Sequence, residues 1–192
     1  WDAYRERVFA RQKQLGWIPA DTRLTPRAAN MPSWDSIPEA QRPFQLRLME
    51  IYAGFVEHVD AQAGKLIDEL DRLGIRDNTI VIYIFGDNGA SAEIMVRNGG
   101  HDPAAAPGSA ATYLCLGPGF SSACNTPHRR HKTWVHEGGI STPLIAHWPA
   151  GIRARNELRH TPAHVIDIAP TVLELAGVQK PKEWKGQPIP DA

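Results

Sequence analysis

The chain has 192 residues, which is long enough for one domain with a substantial core. Its 21 Lys and Arg residues balance 21 Asp and Glu residues, so no net charge attracts it to nucleic acid or to an anionic membrane, and neither is an expected partner. No apolar run approaches the roughly 20 residues that a membrane-spanning helix needs. The two cysteines, Cys115 and Cys124, make no disulfide framework and therefore indicate no compartment.

The first part of the chain predicts two helices and a strand. Apolar residues recur at helical spacing over residues 1–16 and again over residues 44–73, and Gly74 is a natural cap for the second helix. Residues 18–38 are rich in proline and lack periodicity, which indicates an excursion over the surface. A strand that starts at Thr79 then completes a helix–strand unit typical of a wound α/β sheet.

The end of this strand is the most informative feature of the sequence. The run before Gly86 is apolar on both faces, which is typical of a central strand in a parallel sheet. Parallel α/β folds place their ligand sites just beyond the carboxyl ends of such strands. Asp87 and Asn88 bring a carboxylate and an amide oxygen to that position, and a hard cation prefers such ligands. On this motif alone an ordinary turn remains the favoured interpretation.

The second part of the chain alternates loops with short elements. Residues 91–126 consist mainly of Gly, Ala, Ser and Pro and predict a long loop, of the kind that is often functional. Residues 144–148 predict a second buried strand, and residues 164–175 predict a helix. The proline-containing tail at residues 180–192 predicts a connector.

A basic segment lies between the long loop and the second strand. Arg129, Arg130, Lys132 and several histidines come just before a Gly-Gly turn. Such cations suit an anionic ligand, and a fixed ammonium also stabilises charge that develops in a transition state. The alternative is a solvated basic surface, which is the preferred interpretation of a bare run of charge.

Four segments of the chain resemble, in order and spacing, motifs of the type I sulfatases and of their arylsulfatase branch. They are Ile84 to Glu93, similar to the second metal-ligand motif; Asn125 to Ile140, similar to the lysine motif; Thr142 to Ile152, its continuation; and His164 to Thr171, similar to the helix after that strand. Residues 1–16 and 55–74 are similar to the same branch, so that the resemblance covers nearly the whole chain.

The resemblance implies an α/β fold that is part of an alkaline-phosphatase-like sandwich, with a mostly parallel central sheet flanked by helices. Residues 1–179 would form the middle-to-late part of the catalytic domain, and residues 180–192 would connect it to a C-terminal subdomain. The implied reaction is hydrolysis of sulfate monoesters, with a small-molecule sulfate ester or a sulfated glycan as substrate. Asp87 and Asn88 would be ligands of Ca²⁺ in preference to Mg²⁺. Lys132 would be the catalytic and substrate-binding residue, contacting the sulfate or the bridging oxygen.

The family nucleophile is a formylglycine made from the Cys of a Cys-x-Pro-x-Arg motif, and neither cysteine of this chain fits that motif. We therefore expect the nucleophile upstream of Trp1, so that this chain carries half of the active site. Alone it should be catalytically inert and should bind calcium weakly, since two ligands seldom hold the ion. It should also self-associate through core surface that is left uncovered.

Two other functions remain open at this stage. A phosphodiesterase or phosphonate monoester hydrolase of the same superfamily would share Asp87 and Asn88 but act on a phosphorus centre. A non-catalytic binding module derived from a sulfatase would retain these residues without the chemistry.

Overall fold

The computed structural model describes residues 1–96 and 101–189. They form two compact units, which divide after Arg155. The elements of the first unit are α1 (Asp2–Gln14), α2 (Arg42–Arg72), β1 (Val81–Ile84), α3 (Gly117–Cys124), α4 (Glu137–Ile140) and β2 (Leu144–His147). Short 3-10 turns in this unit occupy Trp34–Ser36, Glu39–Gln41 and Arg76–Asn78.

Both helices predicted in the first part of the chain are confirmed. Helix α1 lies within residues 1–16, and α2 runs unbroken for 31 residues and begins at Arg42. After α2, Gly74 adopts a left-handed φ of +68°, and its N–H donates to the carbonyl oxygen of Asp71 at 3.0 Å. This is the cap geometry that glycine accommodates without strain.

The core of the first unit lies where α1 meets α3. Its buried apolar cluster contains Trp1, Met31, Leu116, Phe120 and Ala123. The rings of Trp1 and Phe120 meet edge to face with centroids 5.8 Å apart, a favoured geometry for aromatic pairs. This packing fixes α3, whose far end leads into the basic segment.

Helix α3 corrects the prediction of a continuous loop over residues 91–126. Its sequence contains two glycines, a proline and two serines, which are weak helix formers or helix breakers in isolation. Six of its eight residues are buried, so tertiary packing overrides the local preference, and Pro118 is tolerated because it lies in the first turn. Residues 97–100 of the predicted loop lie outside the described residues.

Strands β1 and β2 pair antiparallel, with Val81 opposite His147 and Ile84 opposite Leu144. The second strand is present where it is predicted, but the expectation that it is buried is wrong, because Leu144 and Ile145 are 47% and 58% exposed. Within the described part of the chain, β2 has β1 as its only strand partner, so its apolar side chains remain uncovered. The mostly parallel central sheet stays a prediction.

The second unit contains α5 (Ile168–Leu175) and a hairpin of β3 (Glu183–Trp184) and β4 (Gln187–Pro188). A 3-10 turn, Val165–Asp167, precedes α5, and the side chains of His164 and Asp167 cap it reciprocally. The predicted helix at residues 164–175 is therefore confirmed. The hairpin lies within the predicted connector, residues 180–192. Residues 190–192 of that connector lie outside the described part of the chain. The domain boundary at residue 179 stays a prediction. No helix in the described ranges is long and apolar enough to cross a membrane.

Candidate functional site

The turn that carries Asp87 and Asn88 follows β1 directly and is anchored at its base. The N–H of Phe85 donates to the carbonyl oxygen of Pro143 at 3.1 Å. The hydroxyl of Thr142 donates in return to the carbonyl oxygen of Phe85 at 2.5 Å. The turn therefore starts from a fixed position beside the entry to β2, with Asp87 exposed and Asn88 half-buried.

Asp87 and Asn88 contact each other, since the Nδ2 group of Asn88 donates to Oδ1 of Asp87 at 2.6 Å. A carboxylate and an amide oxygen suit a hard cation, but Ca²⁺ takes about six to eight oxygen ligands. Over residues 1–96 and 101–189, no group of three or more His, Cys, Asp or Glu residues is placed to hold a metal. The pair thus fits as part of a calcium site. For both to ligate the ion, the Asn88 amide must turn its oxygen toward it and give up its contact with Asp87.

The structure brings this turn together with the loop of Lys132. The backbone N–H of Lys132 donates to the carbonyl oxygen of Ala90 at 3.1 Å. The same oxygen accepts a 2.7 Å hydrogen bond from the hydroxyl of Ser121, a fully buried residue of α3. The sequence-predicted metal ligands and lysine are therefore linked through one backbone carbonyl.

A side-chain bridge from Asn125 reinforces this link. Its Oδ1 accepts from the N–H of Ala90 at 2.9 Å, and its Nδ2 donates to the carbonyl oxygen of Arg130 at 3.2 Å. Sequence analysis placed Asn125 in a motif but gave it no role. The available signal was its chemistry, because an amide both donates and accepts and can satisfy two loops at once.

Glycines allow the two loops to touch through their backbones. The N–H of Gly89 donates to the carbonyl oxygen of Gly139 at 3.0 Å. A Cβ atom on Gly89 would lie only 1.7 Å from the carbonyl oxygen of Gly138, and one on Gly139 would lie 1.9 Å from that of Trp134. The Gly-Gly turn at the start of α4 is thus a point of close backbone approach.

The side chain of Lys132 is half-buried, and no described carboxylate forms an ion pair with its ammonium group. A lysine without a carboxylate partner keeps its charge available for an anion. The position of the residue is fixed by its backbone, whose N–H is held by Ala90 as described above. The loop therefore holds the backbone of Lys132 in place next to the Asp87 turn.

Cys124, in α3, forms no disulfide bond. Burial raises the pKa of the Cys124 thiol to about 11, so that almost no thiolate forms near neutral pH. Cys124 is consequently an inert core residue and does not supply a nucleophile.

Comparison with known proteins identifies the family of the chain. Residues 8–178 match the family model of the sulfatases. An uncharacterised sulfatase of Schizosaccharomyces pombe is 32% identical over 195 residues, covering 94% of this chain and 34% of that protein. The arylsulfatase of Klebsiella aerogenes is 30% identical over 200 residues, covering 98% of this chain and 42% of that protein. The rat steryl-sulfatase is 30% identical over 132 residues, covering 69% of this chain and 19% of that protein.

The chain thus spans less than half the length of these relatives, and the match extends over both the Asp87 turn and the Lys132 loop. The chain belongs to the sulfatase family.

Proposed function

We propose that the full-length gene product hydrolyses sulfate monoesters with the assistance of Ca²⁺. The observation that carries the proposal is the bond from the N–H of Lys132 to the carbonyl oxygen of Ala90, which ties the expected lysine to the expected metal turn. Relatives described as an arylsulfatase and a steryl-sulfatase support the choice of sulfate esters. Family membership supports an α/β fold of the alkaline-phosphatase type.

Asp87 and Asn88 would hold the ion with one carboxylate and one amide oxygen. When bound, calcium supplies Lewis-acid polarisation of a sulfuryl oxygen. Because the turn is anchored through Phe85 at the end of β1, these oxygens keep a fixed place relative to the substrate.

Lys132 would attract the sulfate group and stabilise the negative charge that develops on the leaving oxygen. Charge stabilisation is most effective when the charged group is placed before the reaction, because no reorganisation is then needed. The bridges from Ala90 and Asn125 provide that placement for the lysine loop.

The proposed reaction also needs a nucleophile. We place it in a formylglycine upstream of Trp1, since Cys115 and Cys124 lie outside any Cys-x-Pro-x-Arg motif. The isolated chain should accordingly show no turnover of sulfate esters.

The test uses the full-length protein with three chromogenic substrates: an aryl sulfate, an aryl phosphate diester and an aryl phosphonate. We expect the highest kcat/KM with the aryl sulfate. Lys132→Ala should lower kcat about 100-fold or more, the usual effect of removing a group that stabilises developing charge. Lys65→Ala is the matched control, because Lys65 is exposed on α2 and, among the described residues, its side chain donates to Gln62.

The same assay separates the other functions. A preference for the phosphate diester or the phosphonate would replace the proposal with a phosphorus-directed hydrolase. No turnover of any substrate, in protein that is loaded with calcium and folded, would favour a binding module.

A further inference from the structure

A cationic cavity lies on the α1 side of the lysine loop. Its volume is about 180 Å³, and its walls come from α1, residues 25–31, the start of α3 and residues 128–134. The lining side chains include three arginines and two histidines, namely Arg5, Arg129, Arg130, His128 and His131. None of the described lining residues is acidic. We propose that this cavity is a binding site for a tetrahedral oxyanion, a sulfate or phosphate group, separate from the Asp87–Asn88 turn.

Arg5 is the first argument for an anion. It is only 4% exposed. Its Nη1 and Nη2 groups donate to the carbonyl and hydroxyl oxygens of Thr25, both at 3.0 Å, and its Nε has no partner among the described residues. The nearby carboxylate of Asp2 pairs instead with Arg27 at 2.9 Å. Burial lowers the pKa of Arg5, and the charge of Asp2 offsets only part of that shift. A buried cation that is incompletely compensated is costly, and an anion in the cavity would add the missing counter-charge.

Arg130 is the second argument, and it is independent of the first. Its guanidinium lies 4.2 Å from the ring centroid of Trp134, and its Nη1 donates to Asn30 at 3.3 Å. Its Nε is also buried and without a described partner. Two arginines that line one cavity therefore each retain an unused donor, although buried polar groups are normally satisfied.

The chemistry of the lining selects the ligand. Planar guanidinium groups bind the oxygens of sulfate and phosphate with several donors at once. A cavity of about 180 Å³ is large enough to admit one such group. The anion can be a free ion or a sulfate group on a sulfated sugar, and both sources share the same recognition chemistry.

The inference does not rest on the proposed hydrolase function, because Asp87, Asn88 and Lys132 are absent from the lining. It does place an anion next to Lys132 along the chain, since His131 belongs to the lining. An occupant would therefore contact the loop whose backbone positions the lysine.

The test is calorimetric titration of the full-length protein with inorganic sulfate at constant ionic strength, repeated with a 6-O-sulfated monosaccharide. It is performed in a Lys132→Ala background, so that binding at the lysine itself does not interfere. Arg129→Gln and Arg130→Gln should each weaken binding about tenfold or more, as expected when a charged hydrogen-bond donor is lost. Arg23→Gln is the matched control, since Arg23 is exposed and outside the lining. Arg5→Gln is avoided, because removal of this buried group endangers folding.

Tighter binding of free sulfate would identify a site for the ion, and tighter binding of the sulfated sugar would identify a substrate subsite; both support the proposal. It is overturned if neither probe binds in the Lys132→Ala background, or if Arg130→Gln and Arg23→Gln bind equally well. Turnover is measured separately, in the parent protein that retains Lys132. Aryl-sulfate turnover by the parent, with no cavity binding in the Lys132→Ala background, would reject this site alone. Cavity binding in the Lys132→Ala background, with no turnover by the parent, would count only against the hydrolase function.

Discussion

The backbone N–H of Lys132 donates to the carbonyl oxygen of Ala90 across 3.1 Å, joining two segments that lie more than 40 residues apart in the chain. Because the bond joins two backbone groups, it positions the lysine loop independently of the conformation of the Lys132 side chain. Asn125 accepts from the N–H of Ala90, and the hydroxyl of Ser121 donates to the carbonyl oxygen that Lys132 also contacts. The geometry of the proposed site therefore depends on small contacts between loops, and these contacts can be tested one at a time.

The closest of these contacts lies between Gly89 and the backbone of Gly138. We predict that Gly89→Ala separates the Asp87 turn from the Lys132 loop. The added Cβ would lie 1.7 Å from the carbonyl oxygen of Gly138; the Cβ is fixed to the Gly89 backbone and the oxygen is itself backbone, so neither can rotate away. We expect a loss of about 1–3 kcal/mol in the free energy of unfolding, and a loss of activity larger than that destabilisation explains. The measurements are denaturant unfolding and aryl-sulfate hydrolysis by the full-length protein.

Gly54→Ala is the control for this substitution. Gly54 lies within α2, and a Cβ there meets nothing within 4 Å. Alanine should raise stability at this helical position by about 0.5–1 kcal/mol and leave activity unchanged. Equal effects of the two substitutions would show that the contact between Gly89 and Gly138 does not matter.

Asn125→Ala should impair activity without any contact to the substrate. The change leaves the N–H of Ala90 and the carbonyl oxygen of Arg130 without their partner, which costs about 1–3 kcal/mol when such groups are buried. We expect kcat to fall and the calcium concentration for half-maximal activity to rise, because the Asn125 side chain no longer connects the Asp87 turn to the Lys132 loop. Asn78→Ala, at an exposed position, should change neither quantity. A reduced stability with unaltered calcium dependence would limit Asn125 to a structural role.

The sequence predicted α1, α2 and β1 because their signals are local: apolar residues at helical spacing, a capping glycine and a β-branched run. It also brought Asp87, Asn88 and Lys132 into one hypothesis, and the structure links their segments. It missed α3, because that helix exists through its packing on Trp1 and not through its own composition. The role of Asn125 is equally non-local, since its partners lie 35 residues before it and five after it.

Asp87→Asn should weaken calcium binding more than it weakens folding. The substitution keeps an oxygen ligand but removes the charge that a hard cation favours. We expect activity of the variant to require more added calcium, and chelation by EDTA to abolish activity of the parent protein in a manner that calcium reverses. Asp68→Asn, at an exposed position on α2, serves as the control. Activity that survives complete chelation would exclude calcium from the mechanism.

Cys124 should resist alkylation in the folded protein. With its pKa raised from 9.0 to about 11 by burial, a thiolate fraction of about 0.001 remains at pH 8, compared with roughly a tenth for the same thiol in the unfolded chain. Labelling by iodoacetamide, followed by mass spectrometry of the peptide, should be at least 100-fold slower in native than in denatured protein. Rapid native labelling would contradict the burial of this side chain.

The same shift has a consequence for stability. A thiol whose pKa is raised on folding holds its proton more tightly in the folded state. The contribution of Cys124 to the free energy of unfolding is therefore fully present below pH 9.0, the pKa of the thiol in the unfolded chain. It is lost as the pH rises through about 11, the pKa in the folded state. The free energy of unfolding measured between these limits should fall with pH, and the slope should be smaller in Cys124→Ala; a residual slope is expected because burial also raises the pKa of Tyr52.

The exposed apolar side chains of β2 predict self-association of the isolated chain. Leu144 and Ile145 are consecutive strand residues and lie uncovered on opposite faces of the β1–β2 pair. Further large apolar side chains are exposed on α2, among them Phe55 and Leu66. Soluble monomers seldom expose contiguous apolar patches beyond a few hundred Å², so light scattering should report species larger than one chain. Ile145→Lys should reduce association, because it places a charge on the face of β2 that carries Ile145. Val135→Lys, at an exposed position outside the strand, should have less effect. A monodisperse monomer at high concentration would show that the exposed side chains of β2 do not cause association. The expectation of an uncovered core surface would then be wrong.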